Sequence, residues 1–162
     1  MTLVIALTNE KEAVLVADTL CCYQSEQMWY VESNEYKKIH HTINPKFVVG
    51  VAGQSSAAAL LEKVKARQRL QENGGIRFDT FQSVVRSTRQ ELEKEYTQGE
   101  ISFGSPINFL FVGFDDEGPA IYLVVCEERD KRNFGITAGC ECPFELCGCW
   151  SESRRSRDSD NF

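Results

Sequence analysis

Residues 2–18 read TLVIALTNEKEAVLVAD, two apolar runs on either side of a polar tetrapeptide. The runs, residues 3–7 and 13–17, are rich in Val, Ile, Leu and Ala and too short for helices, so each reads as a β-strand. Apolar residues follow one another without alternation, which predicts strands covered on both faces. Asn9, Glu10, Lys11 and Glu12 supply the turn between them. If the turn centres on residue 10, antiparallel partners have numbers summing to about 20, and Thr2 faces Asp18. Directly opposed residues hold their Cβ atoms about 5 Å apart. A hydroxyl just behind Met1 is therefore expected beside a carboxylate at the end of a strand. Taken alone, the two residues also read as a plain strand start and a turn residue.

Outward from this hairpin, residues 19–36 are less regular, with turn chemistry at Glu32, Ser33 and Asn34. Residues 38–43 and 47–52 read as short strands around a turn at Asn44, Pro45 and Lys46. After Gly53 the apolar period becomes helical. Ser55 or Ser56 is the expected cap of a helix that places Ala57, Leu60, Leu61 and Val64 on one face and stops at Asn73, Gly74 and Gly75. A second helix is expected from Asp79 as N-cap with Gln82 three residues on. Its apolar face takes Phe81, Val84, Val85, Thr88, Leu92 and Tyr96. Gly99 and residues 104–106 close that region. Strands return at 107–114 and 120–126, separated by a turn at 115–119. Strands, then two helices, then strands again indicate an α+β fold rather than alternating βαβ units.

The 162 residues suffice for one domain with its own core. We expect that domain over residues 1–150 and a polar, disordered tail over 151–162. A net charge of −6 and a pI near 5.0 give no overall basic footprint for nucleic acid or an anionic membrane. The apolar runs are far too short to span a bilayer. The N-terminus lacks the basic and cleavage-site features of a signal peptide. Seven cysteines, an odd number, are then expected as reduced thiols in a cytoplasmic protein.

Chemistry enters at the second residue. Thr2 is small enough that removal of Met1 is expected, leaving a threonine with a free α-amine. A threonine hydroxyl with its own amine as base is an activated nucleophile. An unperturbed α-amine has a pKa of about 7.7–8.0, and a neighbouring ammonium lowers it by like-charge repulsion. Lys37 and Lys38, just before a strand, are the candidates.

The residues Thr2 and Asp18, then Lys37, Lys38 and Ile39, Asn44 and Pro45, and Gly50, Val51, Ala52 and Gly53, stand in an order that resembles the N-terminal half of proteasome β subunits and bacterial HslV. Residues 108–122, with a Gly-aromatic-Asp stretch followed by Gly118, Pro119 and Tyr122, are similar to a later hairpin of that family. The resemblance spans roughly residues 2–139. It implies a four-layer α/β/β/α sandwich of the N-terminal-nucleophile (Ntn) hydrolase type. It also implies a threonine peptidase subunit with Thr2, Asp18 and Lys38 catalytic, Gly53 donating the oxyanion N–H and Val51 near the floor of a substrate pocket. By the same resemblance the substrate is a peptide or unfolded protein, and like subunits form a homo-oligomeric ring. An ATPase unfoldase or an α-type ring is the implied regulator, and neither cofactor nor metal is called for. A proteasome-like subunit without activity is the alternative.

Two departures stand out. Thr19, Leu20, Cys21 and Cys22 occupy the stretch where the family commonly has an Arg two positions after the Asp. Past Gly135–Gly139 the family continues into further helices and strands, whereas this chain enters a cysteine cluster. The supporting serine falls near Cys140, and no supporting aspartate matches, Asp158 and Asp160 lying in the polar tail. The C-terminal elements are thus expected to be truncated or altered, as by a frameshift near residues 140–150. Cys140, Cys142, Cys147 and Cys149 invite a zinc reading, but their C-x-C-x4-C-x-C spacing is not that of the usual C-x2-C pairs. His40 and His41 are adjacent on a strand and point to opposite faces, which disfavours a shared ligand role. Arg154, Arg155 and Arg157 sit among acidic neighbours and read as a solvated tail.

Overall fold

The computed structural model describes residues 3–25, 28–97, 107–116, 118–130, 133–138 and 147–150. Their order is β1 (Leu3–Thr8), β2 (Ala13–Ala17), β3 (Cys21–Ser25), β4 (Met28–Ser33), β5 (Ile39–His41) and β6 (Val48–Ala52). There follow α1 (Ala57–Asn73), α2 (Phe81–Thr97), β7 (Ile107–Asp115), β8 (Gly118–Asp130), β9 (Asn133–Ala138) and β10 (Cys147–Trp150). The result is the mixed α+β arrangement expected from the segregated runs, with two helices and antiparallel sheets.

β5, β6, β7, β8 and β9 form a five-stranded sheet in that order, and β10, β1 and β2 form a second sheet. Alternation along the central strands builds the layers. Val49 and Val51 of β6, Ile107, Phe109 and Phe111 of β7, and Val124 and Cys126 of β8 face the helices. There they meet Leu60, Leu61 and Val64 of α1 and Phe81, Val84, Val85 and Leu92 of α2. Ala52, Leu110, Val112 and Ile121 point the other way, onto Val4 and Ala6 of β1. The described residues thus form a helical layer on a five-stranded sheet on a three-stranded sheet.

The helices follow the sequence closely. α1 buries Ala57, Leu60, Leu61 and Val64 and ends at Asn73, with Gly74 as its C-cap. Ser56 holds the N-cap position without a side-chain cap. α2 departs from expectation at its start. Thr80, not Asp79, caps it: Thr80 Oγ1 accepts the Ser83 N–H, and the Ser83 hydroxyl sits against the Thr80 backbone in return. Hydroxyls three residues apart close this box where the sequence suggested Asp79 and Gln82.

Three strand expectations are corrected. The β1–β2 partners sum to 21, not 20, so Asp18 faces Leu3, as its N–H to the Leu3 carbonyl at 3.1 Å shows. The cause is the turn. Asn9 Oδ1 accepts the N–H groups of Lys11 and Glu12, which closes an even, four-residue loop between Thr8 and Ala13. The same two strands are not covered on both faces, because Leu3, Leu7, Val14 and Val16 are exposed. Residues 19–36 are not irregular either, since β3 and β4 pair as a separate hairpin. Met28, Trp29, Tyr30 and Val31 of β4 are all exposed, so that strand prints no alternating pattern on the sequence. β10, within the expected cysteine cluster, pairs with β1.

Candidate active site

Three segments meet at one end of the two sheets. The first leaves β2 at Asp18 and runs to Leu20, the second enters β5 through residues 36–38, and the third is the turn from Gly53 to Ser56 between β6 and α1. Register fixes the second against the third. Val51 donates its N–H to the Lys38 carbonyl at 2.8 Å, one pair beyond the Ile39–Gly50 match of β5 and β6.

Lys38 is 3% exposed, the most buried cation of the described residues. Its Nζ donates to both carboxylate oxygens of Asp18 at 2.8 Å and to the Leu20 carbonyl at 2.6 Å. An ammonium has three hydrogens, and here each has an acceptor. Asp18 is satisfied in turn. Its Oδ1 also accepts the Leu3 N–H at 2.7 Å, and its Oδ2 the Leu20 N–H at 3.1 Å. Partial burial pushes the Asp18 carboxyl up, but the Lys38 hydrogen bond, the Leu3 N–H, the Lys38 charge and the Leu20 N–H outweigh it. The carboxyl is held below its ordinary 3.8.

The structure therefore brings together two of the sequence-selected residues, Lys38 and Asp18, at the end of β1. Thr2 lies outside the described residues. Gly53 sits at φ +112°, a backbone conformation that L side chains rarely adopt, which is the reason for glycine at this turn. Val51 is 2% exposed and packs with Phe109 and Leu61 in the core between sheet and helices. His40 Nε2 lies 3.0 Å from the Lys37 carbonyl, to which its N–H donates, and burial lowers its pKa. Among the described residues no cluster of three or more His, Cys, Asp or Glu side chains could hold a metal. Cys140 and Cys142 lie outside those residues.

Sequence reasoning missed two participants. The Leu20 carbonyl carries no side-chain signal. Tyr36 reaches across the site, donating its N–H side to the Thr19 carbonyl at 2.9 Å and its hydroxyl to the Ser55 carbonyl at 2.6 Å. Both contacts span more than fifteen positions, beyond any local pattern. Its place immediately before Lys37 and Lys38 was the one hint. Cys21 donates to Glu32 Oε2 at 3.3 Å; burial and that carboxylate raise its pKa, so it is a poor nucleophile.

Comparison with known proteins places this architecture. No protein-family model and no curated protein matches the chain. Among solved structures it is similar to an Anbu (Gly-1) mutant from Hyphomicrobium sp. strain MC1, at 19% identity and TM-score 0.58, covering 91% of this chain and 61% of that one. It is also similar to Anbu from the same strain, at 18% identity and TM-score 0.53, covering 90% and 60%. The chain spans about three fifths of the length of those proteins. At this identity the likeness shows the fold alone. The resemblance to proteasome β subunits and HslV is corrected by these matches, which fall on Anbu, an Ntn-hydrolase-like, proteasome-related protein. The short motifs that carried the resemblance mark the strand ends and the turn before the helix, features of the shared architecture rather than of one family.

No helix among the described residues is long and apolar enough to cross a membrane.

Proposed function

We propose that this chain is a threonine-type peptidase subunit of a self-compartmentalised, proteasome-like ring. The observation that carries the proposal is the buried Lys38 ammonium gripped by Asp18, whose Oδ1 also holds the Leu3 N–H. Leu3 is the chain neighbour of Thr2, which supports a reading in which this pair serves Thr2.

In this reading Met1 is removed and the Thr2 Oγ attacks a peptide carbonyl while the Thr2 α-amine accepts its proton. Lys38 holds the amine's pKa down and lends positive potential, and Asp18 fixes Lys38 and the end of β1. The Gly53 N–H stabilises the oxyanion. The amine then protonates the leaving nitrogen, and water hydrolyses the Thr2 ester to release the acyl product. Val51, buried on β6 two residues before Gly53, backs the floor of an apolar substrate pocket from the core side. Substrates are peptides or unfolded proteins, and the subunits assemble with copies of themselves in the cytoplasm, with an ATPase unfoldase or an α-type ring as regulator. The domain extends over residues 1–150, and the open face of β1 and β2 is where the fourth layer of the sandwich belongs.

A peptide epoxyketone tests this, because it bonds to both the Thr hydroxyl and the free amine. The Met1-free, assembled protein should gain the mass of one inhibitor on Thr2, and Lys38→Ala should abolish that adduct. No adduct in a verified Met1-free sample would sink the peptidase reading. A second reading has its own support: every Lys38 hydrogen is already satisfied by the fold, so the pair can serve structure alone in an inactive ring subunit. Intact mass showing Met1 retained in the cell would favour it.

A further inference from the structure

Tyr36 bridges the ion-pair segments and the glycine turn. Its backbone N–H is held by the Thr19 carbonyl at 2.9 Å, one residue from Asp18. Two residues later along the chain comes Lys38. Its hydroxyl crosses to the third segment, donating to the Ser55 carbonyl at 2.6 Å, two residues past Gly53.

That last contact matters because the helix start has no side-chain cap of its own. Ser56 occupies the N-cap position and gives no side-chain cap, its hydroxyl going to Gln54 Oε1 instead. The first amides of a helix have no partner within the helix and need one from outside. Here a tyrosine nineteen positions before Ser55 anchors the backbone that leads into the helix, through the Ser55 carbonyl. Gly53, at φ +112°, has the widest backbone freedom of any residue, so the direction of its N–H depends on what pins the turn behind it. Burial first, then Cys21 and Glu32 nearby, raise the Tyr36 pKa, so its hydroxyl remains a proton donor.

We infer that Tyr36 is a positioning residue: its hydroxyl sets the Gly53–Ser56 turn at a fixed distance from the Lys38–Asp18 pair. The inference rests on the peptidase reading for its catalytic consequence, and on geometry alone for its mechanical one. Oxyanion donor and cation are thereby held as one unit, although they belong to different strands.

Tyr36→Phe removes the hydroxyl and keeps the ring. Loss of one such bond should speed amide hydrogen exchange across residues 53–58 about three- to tenfold. The Val51 amide, bonded to the Lys38 carbonyl, should exchange as in the wild type. Saturating epoxyketone inactivation should slow by a similar factor with the half-saturating concentration unchanged. The pH midpoint of inactivation should also stay put, because Lys38 and Asp18 are untouched. Unchanged exchange over residues 53–58 overturns the inference, and so does a displaced pH midpoint, which would mean that Tyr36 acts through Lys38. If the wild type forms no adduct, the peptidase reading fails, and the Tyr36 inference stands or falls on the exchange measurement alone.

Discussion

Asp18 shows how much one carboxylate can organise. Four hydrogen bonds converge on it, two from Lys38 and one each from the Leu3 and Leu20 amides, and they tie together β1, the end of β2 and the start of β5. With side-chain exposures of 2% for Lys38 and 31% for Asp18, the lysine depends on the aspartate far more than the reverse. Removing the charge with Asp18→Asn should cost about 1–3 kcal/mol at pH 7, since it leaves a buried ammonium without its counter-ion. The folded carboxyl titrates below its ordinary 3.8, so its contribution is full above that value and lost as pH falls through the lower folded one. Urea unfolding of the two proteins should therefore show a gap that narrows from pH 7 to pH 3. Glu91, also held below its ordinary 4.5 against the upward push of burial, by Lys94, Gln71 and Arg67, acts in the same direction in both proteins and cancels in the difference. A gap that stays constant with pH would rule out the charge as its source. The identities of Asp18 and Lys38 were legible in the sequence. That Leu3 rather than Thr2 faces Asp18 was not, because one side-chain oxygen on Asn9 decides whether the loop has an odd or an even number of residues.

At the scale of elements, the two sheets approach closely where Gly50 of β6 meets Val4 of β1. A Cβ placed on Gly50 would lie 2.4 Å from Val4 Cγ1 and 3.4 Å from Leu15 Cδ1, so glycine here is a matter of space. Gly50→Ala should destabilise the protein by about 1–3 kcal/mol through overpacking. Pairing it with Val4→Ala should recover part of that loss, a coupling that a double-mutant cycle in urea measures. Simple additivity of the two substitutions would show that the sheets do not meet there. The helices pack by a different means. Glu91 and Glu95 of α2 are buried acids, and Arg67 reaches both from α1, with Lys94 adding a contact to Glu91 and Lys63 one to Glu95. The sequence displayed the apolar stripes of both helices plainly. It did not show that these acids point inward, because an exposed and a buried glutamate print the same letter at the same helical spacing.

For the whole molecule, the open face of β1 and β2 is the telling feature. Val14 and Val16 are about half exposed while Val49, on the central sheet, is fully buried. Val16→Glu should then change stability by no more than about 0.5 kcal/mol. Val49→Glu, which puts an unpaired charge into the helix–sheet core, should prevent folding or cost several times as much. Thermal unfolding of the two variants side by side decides it; a large loss from Val16→Glu would mean that the outer face is covered in the folded protein. The free hairpin of β3 and β4 belongs to the same scale. An isolated pair of strands is marginal in water, and this one leaves Met28, Trp29 and Val31 more than half exposed.

The sequence by itself determined the helices, the strands with a buried face, the α+β order and the residues at which strand ends meet charged groups. These follow from local periodicity and from glycine and capping chemistry, which act over a few positions. Tertiary structure alone decided the register of the opening hairpin, the single-sided burial of β1 and β2, the inward turn of Glu91 and Glu95, and the bridge made by Tyr36. Each of those depends on groups fifteen or more positions apart, or on the parity of a loop, and hydrophobic pattern carries no information about either.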